Sequence, residues 1–520
     1  MRGADVIVKA LADAGVDVCF TNPGTSEMHL VAALDHEPRI RSVLTLFEGV
    51  ASGAADGYAR IADKPAATLL HLGPGHGNAL ANLHNARRAL SPLINIIGDH
   101  ARHHRVFDPP LASDIEMLAR PVSRWVGEAA DEQALRATTL EAVAASYGPP
   151  GGVASLIIPA DVAWAEVEES AEQAGVNFPT PAAVPPDRIA DLVRRLQAAR
   201  HPVLFLGGRA CREEGLKAAG RIRDALGARL VMETFPARIS RGAGRVSATR
   251  LQYFAEGAAQ DLKDADLLVL AGSRPPAGFF AYPGKPSCYV PEGAELVHLA
   301  QRDEDAIAAL HALADALDAP AEPRVIAPSS APPLTQAEER VTPQAVGSAL
   351  WRHMPEGTIV CDDSTTSGLG VYFLLEQAAA HEWLCLTGGS IGSGLPMGIG
   401  AKLAAPDRKV ITLNGDGAGA YTLQALWTQV REGLGIVNIV FANHSYLILN
   451  VELARLGLAG ETGEKARQLL SLEGPRLDWV KLAEGFGVRA WRAETAGAFD
   501  EALQRALAED GPSLIVAELA

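Results

Sequence analysis

The chain has 520 residues, 48% of them hydrophobic and 21% charged, and a formal net charge of −16. That length exceeds one hydrophobic core and points to about three domains. The acidic balance excludes a nucleic-acid partner, whose phosphates need a basic surface, and docking on an anionic membrane.

The five cysteines, Cys19, Cys211, Cys288, Cys361 and Cys385, are widely spaced and form no CxxC pair. They read as reduced thiols of a cytoplasmic protein rather than disulfides or zinc ligands. The N-terminal stretch mixes acidic and apolar residues and lacks the basic start and cleavage site of a signal peptide. No apolar run is long enough to span a bilayer.

From the N-terminus onward, short apolar runs alternate with longer amphipathic stretches. Residues 1–165 carry runs at Val18–Thr21, Val43–Leu46, Ala67–His71 and Leu93–Ile97. Residues 188–318 carry Val203–Leu206, Leu230–Glu233, Leu267–Ala271 and Leu296–Leu299, and residues 337–520 carry Thr358–Cys361, Val410–Leu413, Val437–Phe441 and Leu514–Ala517. Between these blocks, residues 166–187 are acidic and then Pro/Ala-rich, and residues 319–336 are Pro/Ser/Ala-rich, which predicts two extended linkers. Short apolar runs separated by helical segments predict parallel sheets buried on both faces. The expected fold is therefore α/β, with three consecutive Rossmann-like domains over 1–165, 188–318 and 337–520. Such sheets bind ligands at the carboxyl ends of their strands.

The residues that follow the runs are accordingly the candidates. In the first block these are the turn Asn22-Pro23-Gly24-Thr25-Ser26, Glu48 at the start of a small-residue helix, and His71 before Leu72-Gly73-Pro74-Gly75-His76. Glu48 alone reads as a helix N-terminal acid favoured by the macrodipole. His71 is either a strand-end histidine bonded to a carbonyl or an acid–base group near neutral pH. His76 lies near the site or faces solvent. The basic loop Asp99–Arg105 receives an anion or is a solvated loop. In the third block, Asp363-Ser364-Thr365-Thr366 follows an apolar run and is either a ligand contact or a helix N-cap. Asn414-Gly415-Asp416-Gly417-Ala418 follows another. Two glycines let the backbone approach a phosphate, and the aspartate between them can hold a hard cation. Asn443, at the end of the next run, would bring a second oxygen to that cation, although alone it reads as an Asx-turn.

Gly-Asp-Gly, a helix and then Asn at this spacing resembles the thiamine-diphosphate (ThDP) signature of the superfamily of acetolactate synthase, pyruvate oxidase and benzoylformate decarboxylase. FEGVASGAADGYAR, from Phe47, is similar to that family's segment E-x-x-A-x-x-x-A-x-G-Y-A-R. Gly388–Pro396 matches the segment that precedes Gly-Asp-Gly. The overall sequence looks most like acetolactate synthase large-subunit-like members. The resemblance implies that Glu48 bonds N1′ of the cofactor's aminopyrimidine, a role suited to a carboxyl held in an apolar site. It gives Gly389 the carbonyl that accepts from the 4′-amino group and Ile391 the bulk that props the cofactor, although by itself Ile391 reads as core. It places the diphosphate against Gly415, Asp416, Gly417, Ala418 and Thr365, and Mg²⁺ on Asp416, Asn443 and the carbonyl of Ser445. Two positions depart from the pattern: Ala418 stands where relatives carry a serine, and Ala442 where they carry asparagine.

For the substrate pocket the resemblance points to Thr25, His71, Ile448 and Leu449, hence to a small or apolar group on the carbonyl carbon. No match to the second histidine of benzoylformate decarboxylases is found around Gly242–Tyr253. The middle block shows only the diglycine Gly207-Gly208, so FAD is not expected, and the loop 272–287 has no assigned purpose. The implied activity is that of a 2-oxo-acid decarboxylase or carboligase, forming an enamine after CO₂ loss. The alternatives are an aldehyde lyase that acts without decarboxylation and an inactive cofactor-binding regulatory homologue. A small 2-oxo acid or aldehyde is the expected substrate. The expected assembly is a homodimer or homotetramer with sites at the subunit interface.

Overall fold

All twelve apolar runs fold as strands, and six further strands join them. The computed structural model describes residues 1–168, 178–334 and 337–519; residues 169–177 and 335–336, inside the two predicted linkers, lie outside the described residues. The first sheet holds β1 (Val18–Asn22), β2 (Arg41–Leu44), β3 (Ala66–Leu70), β4 (Leu93–Asp99), β5 (Trp125–Glu128) and β6 (Val153–Pro159), in the order β2-β1-β3-β4-β6-β5. The chain continues through β7 (Pro202–Leu206), β8 (Arg229–Met232), β9 (Ile239–Arg241), β10 (Thr249–Arg250), β11 (Leu267–Ala271) and β12 (Glu295–Ala300). The second sheet runs β10-β8-β7-β11-β12 and leaves β9 out.

The third sheet contains β13 (Ile359–Asp363), β14 (His381–Leu384), β15 (Val410–Gly415), β16 (Ile436–Ala442), β17 (Arg489–Ala493) and β18 (Ser513–Glu518), in the order β17-β18-β16-β15-β13-β14-β9. Strand β9 pairs antiparallel with β14, Arg241 opposite His381 and Ile239 opposite Trp383. The sequence predicts purely parallel sheets, and this strand departs from that. It satisfies the edge of β14, whose N–H and C=O groups would otherwise be unpaired.

In each sheet the strands step away in opposite directions from an internal switch point, between β1 and β3, between β7 and β11, and between β13 and β15. Connections diverge there and open a crevice at the carboxyl ends. Thr25 and His71 follow β1 and β3, and Thr365 and Asp416 follow β13 and β15.

The first and third blocks share one core. The helix Glu48–Ala62 crosses the helix Gly394–Ala404, with Val50, Ala51 and Ala54 buried in the same cluster as Leu395, Met397 and Ile399. Glycines permit this approach: a Cβ on Gly57 would overlap the carbonyl of Met397, and one on Gly400 would overlap the carbonyl of Ala54. Since the obstacle is backbone, side-chain rotation cannot relieve it. Gly400→Ala should therefore force the helices apart and cost about 1–3 kcal/mol, the usual range for overpacking, seen as a lower thermal midpoint; an unchanged midpoint would contradict the close crossing.

Candidate active site

The first block assembles a carboxylate–histidine pair on its crevice. Glu27, in the 3₁₀ turn Thr25–Glu27 after β1, is 1% exposed. Its Oε2 lies 2.8 Å from His71 Nδ1 and accepts from Gly24 N at 2.9 Å, while Oε1 accepts from Ser26 Oγ at 2.7 Å. A Cβ on Gly24 would overlap the His71 imidazole, so glycine is needed for the ring to lie there. With Nδ1–H donating to Glu27, the other ring nitrogen is left as an acceptor. Thr25 is exposed at the start of the same turn. The sequence reading missed Glu27; its signal was a carboxylate two residues beyond Thr25, in a turn that folds back under the next strand.

Glu48 starts its helix after β2, is 8% exposed and accepts from Asn78 Nδ2 at 3.0 Å. A Cβ on Gly75 would stand 3.3 Å from Glu48 Oε1 and 3.2 Å from His71 Cβ, so both residues flank one glycine. His76 is fully buried, with Nδ1 3.1 Å from Asn95 Nδ2, and thus neither faces solvent nor presents a charge to the site. Arg102 is paired with Asp161 and Arg105 with Asp99 and Glu128, so both arginines of the basic loop are ion-paired within the first block.

The third block brings its candidates together on a second crevice. Strands β15 and β16 are parallel neighbours, Gly415 opposite Phe441. Asp416, 3% exposed, accepts from His444 N at 2.7 Å, which ties the turn after β15 to Asn443–Ser445 after β16. Burial pushes the Asp416 carboxyl up from its ordinary range. Asn443 Oδ1 accepts from Ser445 N at 3.0 Å. A Cβ on Gly415 would meet nothing nearer than Ala418 Cβ at 3.9 Å and Thr365 Oγ1 at 4.0 Å, which leaves its backbone open to a ligand. Thr365 has φ +51°, an uncommon conformation for a β-branched residue. A Cβ on Gly417 would meet the Tyr446 ring.

The turn that carries Gly389 and Ile391 is fixed from two sides. Asp363 Oδ2 accepts from the backbone N–H groups of Gly392, Ser393 and Gly394 at 2.8, 2.8 and 3.2 Å. Asn85 Nδ2 and Asn82 Nδ2 donate to the carbonyls of Ser390 and Gly392 at 2.8 and 3.2 Å. Asp363 is thus a clamp on this turn. Past the metal-type turn, Ile448 is half-buried and Leu449 is 44% exposed on the helix Leu447–Arg455.

Among the described residues no hydrogen bond or ion pair joins Thr25, Glu48 or His71 to Gly389, Asp416 or Asn443. Nor does any group of three or more His, Cys, Asp or Glu side chains stand ready for a metal. The oxygen set of Asp416, Asn443 and the Ser445 carbonyl fits a hard cation completed by phosphate and water. At the switch point of the second sheet lies a separate cavity of about 660 Å³, bordered by Arg88, Arg274, Arg302 and Glu233. None of the candidates for the chemistry lines it.

Comparison with known proteins agrees with this geometry. The thiamine pyrophosphate enzyme N-terminal TPP-binding domain matches residues 1–135 and the C-terminal TPP-binding domain matches residues 369–517. The chain belongs to the thiamine pyrophosphate enzyme family. It is 48% identical, over 99% of its length and 98% of the relative's, to a Mycobacterium tuberculosis protein provisionally named acetolactate synthase large subunit IlvX. It is 30% identical to benzoylformate decarboxylase of Pseudomonas aeruginosa, over 96% of each chain. The solved structure of the ThDP-dependent 4-hydroxybenzoylformate decarboxylase of Rhodococcus jostii RHA1 superposes with a TM-score of 0.88 at 26% identity, covering 100% of this chain and 99% of that one. Among the described residues no helix is long and apolar enough to cross a membrane.

Burial holds the His76 imidazole neutral, its pKa lowered from 6.5 to about 4. The unfolded chain would bind that proton more readily, so this part of the stability is present above pH 6.5 and is lost as pH falls towards 4. The thermal midpoint should therefore drop more steeply with acid in the wild type than in His76→Gln; parallel curves would refute the assignment.

Proposed function

We propose that the chain is a ThDP- and Mg²⁺-dependent 2-oxo-acid decarboxylase or carboligase, acting as a homodimer or homotetramer in the cytoplasm. The observation that carries this reading is the bond from His444 N to Asp416, which unites the two strand-end turns into one oxygen-rich cradle. Asp416, Asn443 and the Ser445 carbonyl hold Mg²⁺. Gly415 and Gly417 let the diphosphate approach. Thr365, whose strained turn aims its hydroxyl at Gly415 beside Ala418, provides the hydroxyl that alanine lacks. Gly389 and Ile391 seat the aminopyrimidine.

ThDP, when bound, supplies a carbon nucleophile and an electron sink for the bond next to a carbonyl. The chain's own groups do the rest. Glu48, buried and oriented by Asn78, bonds the aminopyrimidine nitrogen. His71, with Nδ1 fixed by Glu27, delivers or takes a proton at the reacting carbon through its other nitrogen. Thr25 binds the substrate carboxylate, and Ile448 and Leu449 take an apolar side group. The five free cysteines support a reducing compartment.

Titration with ThDP and Mg²⁺ should switch on CO₂ release from one or more of pyruvate, 2-oxobutyrate and benzoylformate; absence of any ThDP dependence would overturn the reading. Glu48→Gln should keep the thermal midpoint and lower turnover by about 10²-fold or more, the scale of acid–base contributions. Glu27→Ala should lower turnover by about 10-fold or more, because the imidazole loses its orientation, while ThDP affinity stays unchanged. Near-normal rates would remove either residue from its role.

A further inference from the structure

His444 stands in the turn after β16, between Asn443 and Ser445, yet its N–H, its C=O and its ring all reach outside that turn. The N–H donates to Asp416 Oδ2 at 2.7 Å. The C=O accepts from Leu472 N at 2.8 Å. The ring Nε2 lies 3.0 Å from Glu518 Oε2, with both side chains mostly buried.

The backbone gives a reason for this anchoring. His444 has φ +52°, in the left-handed region. Glycine enters that region freely, whereas a residue with a Cβ does so at a cost. Such a residue stays there only where its surroundings over-determine it. The sheet supplies those surroundings. Ala442 at the end of β16 is opposite Glu518 at the end of β18, and Leu519 N donates to the Ala442 carbonyl at 3.0 Å. Strand β18 is itself paired on both sides, with β16 and β17. Glu518 Oε1 also accepts from Arg492 Nη1 at 2.6 Å, so its carboxylate is held from a second direction.

The consequence falls on the carboxylate proposed to meet the cation. Asp416 Oδ1 accepts from Gly417 N at 2.8 Å, and Oδ2 accepts from His444 N. One backbone N–H on each oxygen orients the carboxylate and leaves each a lone pair for a cation. Relaxation of residue 444 to an ordinary negative φ would turn its N–H away from Asp416 and swing the Ser445 carbonyl with it. Groups that orient ligands in this way matter to metal affinity nearly as much as the ligands.

We propose that His444 is a positioning residue for the cation: its imidazole, tied to Glu518, holds the left-handed turn that keeps Asp416 and the Ser445 carbonyl in place for Mg²⁺. The proposal rests on the reading of the function given above.

The test is binding of Mn²⁺, a paramagnetic stand-in for Mg²⁺, to the protein supplied with ThDP, read from the electron paramagnetic resonance signal of the free ion. His444→Ala and Glu518→Ala should each weaken Mn²⁺ binding about 10-fold or more, the scale of a lost orienting partner. His444→Gly, which adopts the left-handed turn without a tie, should recover binding to within about threefold of wild type. Adding Glu518→Ala to His444→Gly should then change little, because the tie is already gone. Arg492→Ala leaves the imidazole contact intact and should cost no more than about threefold, as expected of a partly exposed ion pair. Full affinity in both alanine variants overturns the proposal, and so does His444→Gly binding as weakly as His444→Ala. A loss in Arg492→Ala equal to that in Glu518→Ala marks a general loosening of β18 and also overturns it. Glu518→Ala leaves the turn's own residues unchanged and decides the matter if His444→Ala does not fold. Failure of the wild type to bind Mn²⁺ with ThDP overturns the reading of the function together with the proposal, whereas tight wild-type binding that the alanine variants retain overturns the proposal alone.

Discussion

A guanidinium withdrawn from water must find a partner for every donor, and Arg60 does so between all three blocks. It pairs with Asp56 at 2.5 Å, both side chains 2% exposed. It also donates to the carbonyls of Cys385 and Ala237 at 2.6 and 3.3 Å and to Thr387 Oγ1 at 3.1 Å. Removing one member of such a pair costs about 3–5 kcal/mol, because the other charge stays buried. Arg60 lies near the end of the helix that Glu48 opens, and Cys385 and Thr387 lead into the Gly389 turn. One interaction thus sets the first block's helix, the Gly389 turn and the middle block in mutual register.

The glycine-lined helix crossing and the three switch points act within that register. Each outer sheet presents its candidate residues from two strand ends that diverge, Glu27 and His71 in one and Thr365 and Asp416 in the other. Among the described residues no hydrogen bond or ion pair joins Glu27 or His71 to Thr365 or Asp416. Rigidity comes instead from second contacts: Glu27 under His71, Asn78 on Glu48, and Asp363 and Asn85 on the turn from Gly389 to Gly394.

The sequence exposed most of this arrangement where the physics is local. Apolar runs marked the buried strands, and glycines next to Asp416 marked a backbone that must approach a ligand. Strand β9 was hidden because its pairing depends on an edge more than a hundred residues away, not on its own three residues. Glu27 was hidden because a carboxylate next to a turn reads as a cap until the fold slides it beneath His71. The tie between His444 and Glu518 was hidden for a similar reason: 74 residues separate the two, and only the pairing of β16 with β18 brings them together. The vacancy at Ala418 was legible, but its neighbour Thr365 at Gly415 was visible only once β13 and β15 stood side by side.

The loop 272–287 also shows a division of labour among the blocks. It belongs to the middle block, whereas the groups proposed to hold and activate the cofactor belong to the outer two. Residues 272–287 lie outside both segments matched to the TPP-binding domains.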